Sequence, residues 1–145
     1  MSLLKDKVCV ISGGAGSIGL ASAKRFLAEG ARVMLIDLPG VALDEAVKSC
    51  NSKDVIGFAA DVSDAKQVQA AFEKATKTWG KLDVIVSNAG NAGRNSRIED
   101  YPEDIFDLTL TIHARGAFLA CKYGAPLMND GGSIIITSKI GRAHV

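Results

Sequence analysis

Glycines placed between an apolar segment and a helical segment could bind the phosphates of a nucleotide. Without a Cβ, Gly14 and Gly16 let the backbone turn sharply and approach a pyrophosphate, while Gly19 lets the following helix lie close to the strand. The amino end of that helix adds free N–H donors and the positive end of its dipole. This context predicts dinucleotide binding rather than an ordinary turn. The candidate binding residues of the loop are Ser12, Gly13, Gly14, Gly16, Ser17, Ile18 and Gly19.

The next apolar segment ends in a carboxylate side chain, that of Asp37. At the end of a second strand, this side chain can accept hydrogen bonds from both hydroxyls of an adenosine ribose. We therefore predict NAD rather than NADP as the cofactor, since a 2′-phosphate would be repelled by the carboxylate and no Arg or Lys follows at once. Leu38 belongs to the same candidate site. The alternative is a solvated Asp at a strand end.

Polar residues also close two further apolar segments. Asp61, followed by Val62, closes the third segment, and Ser87 with Asn88, Ala89 and Gly90 closes the fourth. Because the carboxyl ends of parallel strands meet at one edge of a sheet, we expect these groups to lie near the glycine loop, where such folds bind ligands. Each of them, taken alone, could serve only a turn.

Strands and helices must alternate to bring these residues together. Apolar runs and turn residues predict strands at 7–11, 31–36, 55–60, 82–86 and 133–137, and helices at 18–29, 41–49, 65–79 and 103–129. Short apolar strands separated by single helices predict an α/β fold, a Rossmann-type doubly wound parallel sheet with helices on both faces. In the last helix we expect His113 to point inward on a face of small residues. The apolar flanks of that helix predict a subunit interface, the alternative being contact with chain that these residues do not include.

The composition is that of an ordinary globular domain. The 145 residues are 48% hydrophobic and 23% charged with a formal net charge of +1, so we expect neither a nucleic-acid nor a membrane partner. Short apolar stretches and an amino terminus without a signal-peptide core predict a cytoplasmic protein. The odd number of widely spaced cysteines, 3 in all, and only 2 histidines predict reduced core thiols and no metal site.

These segments together resemble the short-chain dehydrogenase/reductase family, whose members carry a Thr-Gly-x-x-x-Gly-x-Gly loop, an acidic-Val pair and an Asn-Asn-Ala-Gly segment. The likeness runs from about Lys5 to Ser138. It implies that Gly13 and Gly19 serve the coenzyme loop. It also implies adenine contacts for Asp61, through the amino group, and for Val62, through the ring, and support of the coenzyme and central sheet by residues 88–90.

The glycine loop departs from the family pattern at two positions. Ser12 replaces the family's Thr, and Ser17 occupies the place of the middle glycine. The resulting spacing fits a longer branch of the family, which modifies sugar nucleotides, whereas the Ser-Asn-Ala-Gly segment at 87–90 fits the shorter branch. The acidic-Val pair and the Ser-Asn-Ala-Gly segment both favour the shorter branch, and only the spacing of the glycine loop favours the longer one.

The resemblance also implies catalytic residues. Ser138 matches the family's catalytic Ser at the end of the fifth strand, which hydrogen-bonds the reacting oxygen of the substrate. His113 stands where the family has an Asn that supports a water-mediated proton relay. A neutral imidazole can donate and accept, so His113 could replace that Asn, or it could be a hydrogen-bonded core histidine. Neither Tyr101 nor Tyr123 begins the family's Tyr-x-x-x-Lys pair.

We therefore expect an oxidoreductase that transfers hydride between NAD(H) and a small-molecule secondary alcohol or ketone, acting as a homodimer or homotetramer. Residues 1–139 would form an incomplete NAD-binding Rossmann domain, truncated after the fifth strand and inactive without the Tyr-Lys pair. Residues 140–145 match the in-frame translation of a common sequencing adapter and predict a non-native tail. The alternatives are a non-catalytic dinucleotide-binding module and a nucleotide-sugar epimerase or dehydratase.

Overall fold

The computed structural model describes residues 2–138, in which strands and helices alternate along the chain. The predicted non-native tail, residues 140–145, lies outside these described residues. The strands are β1 (Val8–Ser12), β2 (Arg32–Asp37), β3 (Val55–Ala59), β4 (Leu82–Ser87) and β5 (Met128–Ile136). The α-helices are α1 (Ser17–Ala28), α2 (Val41–Ser49), α3 (Ala65–Trp79), α4 (Glu103–Leu110) and α5 (Gly116–Gly124).

The strands form one parallel sheet of 5 strands in the order β3-β2-β1-β4-β5. Successive strands step outward from β1 to β3, and the chain then returns to place β4 on the other side of β1. This reversal of direction between β1 and β4 is where folds of this kind open a crevice at the carboxyl ends of their strands. The predicted Rossmann-type α/β fold is confirmed.

The core consists of two apolar clusters, one on each face of the sheet. Alternate residues of β1 point to opposite faces, so Val10 packs with Phe72 and Leu119 in one cluster, and Cys9 packs with Ala23 in the other. Burial of each large apolar side chain stabilises the fold by about 1.5–3 kcal/mol. Helices therefore cover both faces, as strands without polar alternation require.

The last helical region differs from the single helix predicted at 103–129. A π-helical turn at Thr111–Arg115 joins α4 to α5, and a short 3-10 turn at Ala125–Leu127 follows. Pro126 has no backbone N–H to continue an α-helix, so the chain turns to extended geometry at Met128. The predicted end of the helix, and the predicted start of the fifth strand at residue 133, were therefore wrong.

The early start of β5 is accommodated by an irregularity in its pairing with β4. The register jumps from Leu82 opposite Met128 to Val84 opposite Ser133. Gly131 lies within the jump at φ 78°, a left-handed conformation that glycine adopts without strain. Gly131 and Gly132, which precede the predicted start of the strand at residue 133, instead form a bulge inside it.

Small residues of α5 allow this helix to lie close to the rest of the core. Gly116, Ala120 and Gly124 are buried, and a Cβ on Gly124 would lie 3.2 Å from Cε2 of Phe72. The predicted face of small residues is thus confirmed in α5. His113, which was expected on the same inward face, is exposed instead, because the π-helical turn that contains it changes the phase of the helix.

A buried carboxylate joins three strands at the amino-terminal edge of the sheet. Oδ2 of Asp83 accepts a hydrogen bond from the N–H of Val8 at 2.9 Å, and Oδ1 accepts from Nζ of Lys7 at 3.0 Å and from Nδ2 of Asn129 at 3.1 Å. Burial alone would raise the pKa of the Asp83 carboxyl, but these hydrogen bonds and the Lys7 charge outweigh it and lower the pKa. Asp83 thereby links β1, β4 and β5.

Cys9 lies beside this network and illustrates the opposite effect. Burial, with a smaller contribution from the Asp83 charge, raises the pKa of its thiol to about 12. A thiol with such a pKa stays protonated and unreactive near neutral pH. Cys9 is therefore a core residue, as the sequence predicted.

We expect Asp83→Asn to lower the free energy of unfolding near neutral pH by about 1–3 kcal/mol, because buried donors lose their acceptor. The pKa of Asp83 is lower in the folded than in the unfolded chain, so its contribution is complete above the unfolded-state pKa and is lost as pH falls through the folded-state pKa. Urea unfolding of both chains, from neutral pH to about pH 3, should show the difference shrinking with acid.

Asp6→Asn is the matched control, since Asp6 is exposed and, among the described residues, forms an ion pair with Arg32 alone, at 3.5 Å. Its unfolding free energy should stay within about 0.5 kcal/mol of the unmodified chain. Equal effects of the two substitutions would show that the Asp83 network does not stabilise the sheet.

Candidate functional site

A cleft of about 640 Å³ opens at the carboxyl ends of β1 to β4, across the point where the strand order reverses. Cofactor sites of this kind commonly have volumes of several hundred Å³. The cleft contains all the predicted coenzyme residues except Ser12, Gly14 and Gly19. Its lining consists of Gly13, Ala15, Gly16, Ser17, Ile18, Asp37, Leu38, Ala60, Asp61, Val62, Asn88, Ala89, Gly90, Leu108 and Ile112.

The glycine loop is packed between β2 and the segment after β4. Gly13 has φ 66°, and a Cβ on it would lie 2.9 Å from Cα of Ala89. A Cβ on Gly14 would lie 2.7 Å from Cβ of Leu35, and one on Gly19 would collide with the carbonyl oxygen of Gly13. Gly14 and Gly19 therefore serve the packing of the loop, while Gly13 and Gly16 also line the cleft.

The amino terminus of α1 faces the cleft with free backbone donors. The first hydrogen bond of this helix runs from the N–H of Leu20 to the carbonyl of Gly16 at 2.9 Å. Among the described residues, no side chain caps this helix end, and its first turn contains no acidic residue. Ser17 and Ile18 line the cleft here, so their N–H groups and the positive end of the helix dipole are available to an anion.

Asp37 lies at the end of β2 with its carboxylate held by the backbone. Oδ2 accepts a hydrogen bond from the N–H of Ala15 at 2.9 Å, and Oδ1 accepts from the N–H of Leu38 at 2.8 Å. The first bond fastens the glycine loop to β2. A carboxylate offers about four acceptor positions, so Asp37 keeps capacity for the two hydroxyls of a ribose.

Asp61 is held in a similar way at the end of β3. Its Oδ1 accepts from the N–H of Ser63 at 2.8 Å and from the hydroxyl of Ser63 at 2.7 Å, while its own N–H donates to Oε1 of Gln67 at 2.9 Å. Oδ2 has no hydrogen bond to the described residues, which leaves one carboxylate oxygen for a ligand amino group. Val62 lies beside it and contacts Gly116 of α5.

Ser12 connects β1 to the segment after β4 without lining the cleft. Its Oγ accepts hydrogen bonds from the N–H of Asn88 at 3.0 Å and of Ala89 at 3.1 Å, and donates to the carbonyl of Val86 at 3.4 Å. Nδ2 of Asn88 returns a bond to the Ser12 carbonyl at 3.3 Å. Ser12 thus holds the residues that line the cleft in place.

The two predicted catalytic residues lie near the segment after β4. The N–H of Thr137 donates to the carbonyl of Ser87 at 3.0 Å, which places the exposed Ser138 at the same sheet edge as the cleft, though outside its lining. Nε2 of His113 lies 3.1 Å from the N and 3.0 Å from the O of Asn91. No hydrogen bond joins Ser138 and His113 within the part of the chain that the structure describes.

Four residues of the lining were not predicted. Ala15 and Ala60 stand next to predicted positions, and Leu108 and Ile112 lie four residues apart on the last helical region. The spacing of Leu108 and Ile112 marks a common helix face and was visible in the sequence. Their contact with the cleft depends on how α4 and the π-helical turn pack, which the sequence did not indicate.

Residues 2–138 contain neither a metal-binding cluster nor a membrane-spanning helix. The described residues contain no group of three or more His, Cys, Asp or Glu side chains placed to bind a metal ion. In the same range, no helix has the length and apolar character that crossing a membrane requires.

We expect Ser12→Ala to destabilise the fold by about 1–3 kcal/mol, because two backbone N–H groups lose a common acceptor. Ser12→Thr keeps the hydroxyl and should retain most of that stability. Urea unfolding of the three chains measures the difference. An Ala variant as stable as the unmodified chain would show that the hydroxyl does not hold the segment after β4.

The sequence and the structure both match known proteins. The model of the family described as enoyl-(acyl carrier protein) reductase matches residues 13–145. The uncharacterized oxidoreductase YxbG of Bacillus subtilis (strain 168) is 39% identical over 99% of this chain and 54% of its own length. Levodione reductase of Leifsonia aquatica is 32% identical over 94% of this chain and 53% of its own length.

Among solved structures, NAD⁺-bound xylitol dehydrogenase matches with a TM-score of 0.82 and 33% identity, over 86% of this chain and 49% of that one. The structure of levodione reductase matches with a TM-score of 0.84 and 31% identity, over 90% and 53% of the two chains. The chain thus spans about half the length of the curated relatives it matches.

Proposed function

This chain belongs to the short-chain dehydrogenase/reductase family, and from that premise we propose that its cleft binds NAD(H). We further propose that the protein transfers hydride between NAD(H) and a small secondary alcohol or ketone. The bound nicotinamide coenzyme would supply the hydride acceptor or donor. This chain's own residues would bind and orient the coenzyme and the reacting oxygen.

The observation that carries the proposal is the arrangement of charge along the cleft. The carboxylates of Asp37 and Asp61, each fixed by hydrogen bonds, lie on one side of the uncapped amino terminus of α1. Residues 88–90 lie on its other side. Strand spacing of about 4.8 Å puts the ends of β2 and β4, on either side of β1, roughly 10 Å apart. A dinucleotide fits this order, with its pyrophosphate at the helix terminus and its adenosine beside the carboxylates.

Asp37 supports NAD as the coenzyme rather than NADP. Its carboxylate is held at the cleft by Ala15 and Leu38, and the residues that line the cleft include no Lys or Arg. A 2′-phosphate on the adenosine ribose would therefore meet a negative charge without a cationic partner. The relative solved with NAD⁺ bound is consistent with this choice.

For the chemistry, we propose that Ser138 hydrogen-bonds the reacting oxygen of the substrate. Its support is the position of Ser138 after β5, where Thr137 is bonded to Ser87 and Asn88. General acid/base catalysis in this family requires a Tyr-x-x-x-Lys pair, which these 145 residues do not contain. We therefore propose that the 145-residue chain binds coenzyme but does not turn over substrate.

The substrate class and the assembly are proposals of the same kind. Relatives named levodione reductase and xylitol dehydrogenase support a small alcohol or carbonyl substrate.

Phe106, Leu110 and Phe118 are 53%, 49% and 58% exposed, and this apolar surface supports a homodimer or homotetramer. The cysteines at 9, 50 and 121 are free thiols, which fits the reducing cytoplasm.

Calorimetric titration with NAD and NADP tests the coenzyme assignment. We expect the unmodified chain to bind NAD at least about tenfold more tightly than NADP, a difference of about 1.4 kcal/mol. Asp37→Asn removes the charge but keeps an acceptor for the backbone, so the preference for NAD should fall. Asp37→Ala also releases Ala15 and should weaken binding of both coenzymes.

Two results would contradict the assignment. Tighter binding of NADP by the unmodified chain would remove the role given to Asp37. A folded chain that takes up neither coenzyme would remove the proposed function altogether.

A further inference from the structure

We propose that Arg115 is a positioning residue for the adenine end of the coenzyme, which fixes the turn at residues 61–63 through the carbonyl of Ser63. The proposal rests on the coenzyme-binding function given above, in which the adenosine lies beside Asp61. Arg115 itself is exposed and is not among the described residues that line the cleft. It therefore acts through the turn and does not touch the coenzyme.

The guanidinium of Arg115 lies on the carbonyl that follows two residues of the cleft lining. Its Nε donates a hydrogen bond to the oxygen of Ser63 at 3.1 Å. The two residues are 52 positions apart in the chain, so the bond joins the end of the π-helical turn to the loop between β3 and α3. Because the donor is charged, such a bond is roughly twice as strong as one between neutral groups.

Ser63 connects Arg115 to the carboxylate of Asp61. The N–H and the hydroxyl of Ser63 both donate to Oδ1 of Asp61, at 2.8 Å and 2.7 Å. A bond to the Ser63 carbonyl restricts the backbone of the residue that supplies both donors. The position of the Asp61 carboxylate in the cleft thus depends on where Arg115 holds Ser63.

The carbonyl of Ser63 lies where α3 cannot supply a donor. Asp64 is the N-cap of α3, and its carbonyl accepts the first helical bond, from the N–H of Val68 at 3.0 Å. Ser63 precedes this cap residue, so its carbonyl lies outside the pattern of helical hydrogen bonds. The side chain of Arg115 supplies the donor instead. Without it, the turn would lose its polar attachment to the last helical region.

An apolar contact places the same segment on the turn. Gly116, which follows Arg115, packs against Val62, and a Cβ on Gly116 would lie 3.3 Å from Cγ2 of Val62. Ile112, in the same π-helical turn as Arg115, lines the cleft. One short segment therefore contributes a wall of the cleft and also holds the wall formed by Asp61 and Val62.

The base of the coenzyme gives a readout that general loosening of the chain would not change. Nicotinamide hypoxanthine dinucleotide has the phosphates and the charge of NAD, but its base carries a carbonyl oxygen where adenine carries an amino group. An amino group donates to a carboxylate, whereas a carbonyl oxygen is itself an acceptor. The ratio of the two affinities therefore reports how well Asp61 is placed at the adenine, separately from the overall affinity.

Calorimetric titration of the 145-residue chain with both dinucleotides tests the proposal, using Arg115→Met, Arg115→Lys and Arg25→Met. We expect the unmodified chain to bind NAD about tenfold more tightly than the hypoxanthine dinucleotide, and Arg115→Met to lower this preference to about threefold or less. Arg115→Lys keeps a charged donor for the Ser63 carbonyl and should retain most of the preference.

Arg25→Met is the matched control, because it removes the same charge from an exposed arginine. Arg25 bonds Glu29 through Nη2 at 2.6 Å, and neither residue is among those that line the cleft. The preference of this variant for NAD should stay within about twofold of that of the unmodified chain. An unchanged preference in Arg115→Met, a Lys variant as poor as the Met variant, or an equal loss in Arg25→Met would overturn the proposal.

The Nε–H signals of the arginines in the NMR spectrum give a reading that needs neither a variant nor a ligand. Nε of Arg115 donates to Ser63, whereas the contacts of Arg25 and Arg97 use Nη atoms. We expect the Arg115 Nε–H to exchange with solvent at least about fivefold more slowly than those of Arg25 and Arg97. Equal exchange rates for the three groups would contradict the contact and, with it, the proposal.

The two measurements separate this proposal from the proposed function. If the unmodified chain takes up neither dinucleotide, the proposed function fails and the coenzyme role of Arg115 fails with it, while the exchange rates still decide whether Arg115 holds Ser63. If the chain binds both dinucleotides equally well, coenzyme binding stands and the adenine role given to Asp61 and Arg115 is wrong.

Discussion

Close backbone packing of the turn between β1 and α1 is the constraint on which the rest of the site depends. Gly13 lies against Ala89, Gly14 against Leu35, and Gly19 against Gly13 itself. A side chain at Gly13 or Gly14 would separate the turn from the segment after β4 or from β2, and one at Gly19 would push α1 away from the turn. The turn would then no longer bring the amino terminus of α1 to the point where the strand order reverses, and the cleft would lose the proposed site for a phosphate.

Polar side chains around this turn join the fold to the site. Asp37 bonds Ala15, Ser12 bonds the backbone of Asn88, and Asp61 is held by Ser63. Each bond connects different segments at the carboxyl edge of the sheet, or fixes a group there. Because the donors are mostly backbone N–H groups, the cleft is organised by the same contacts that stabilise the chain.

The fold and most of the cleft could be predicted because they follow from local patterns. Apolar runs bounded by Gly, Asp and Asn indicated four of the strands to within one residue, and the limits of α2 and α3 were as expected. The last helical region was predicted less well. Helical periodicity does not distinguish a continuous helix from one with a π-helical turn. Gly131 and Gly132, just before the predicted start of the fifth strand, lie in a bulge inside the observed strand.

The sequence by itself determined the α/β alternation, the position of the glycine turn and the carboxylates that follow β2 and β3, since these depend on residue type and short-range spacing. Only the tertiary structure decided that Gly14 packs against Leu35, that Ser12 supports the site from outside it, and that His113 reaches Asn91. Such contacts join segments far apart in the chain. Their geometry depends on how helices and strands pack, and no local pattern of residues encodes that packing.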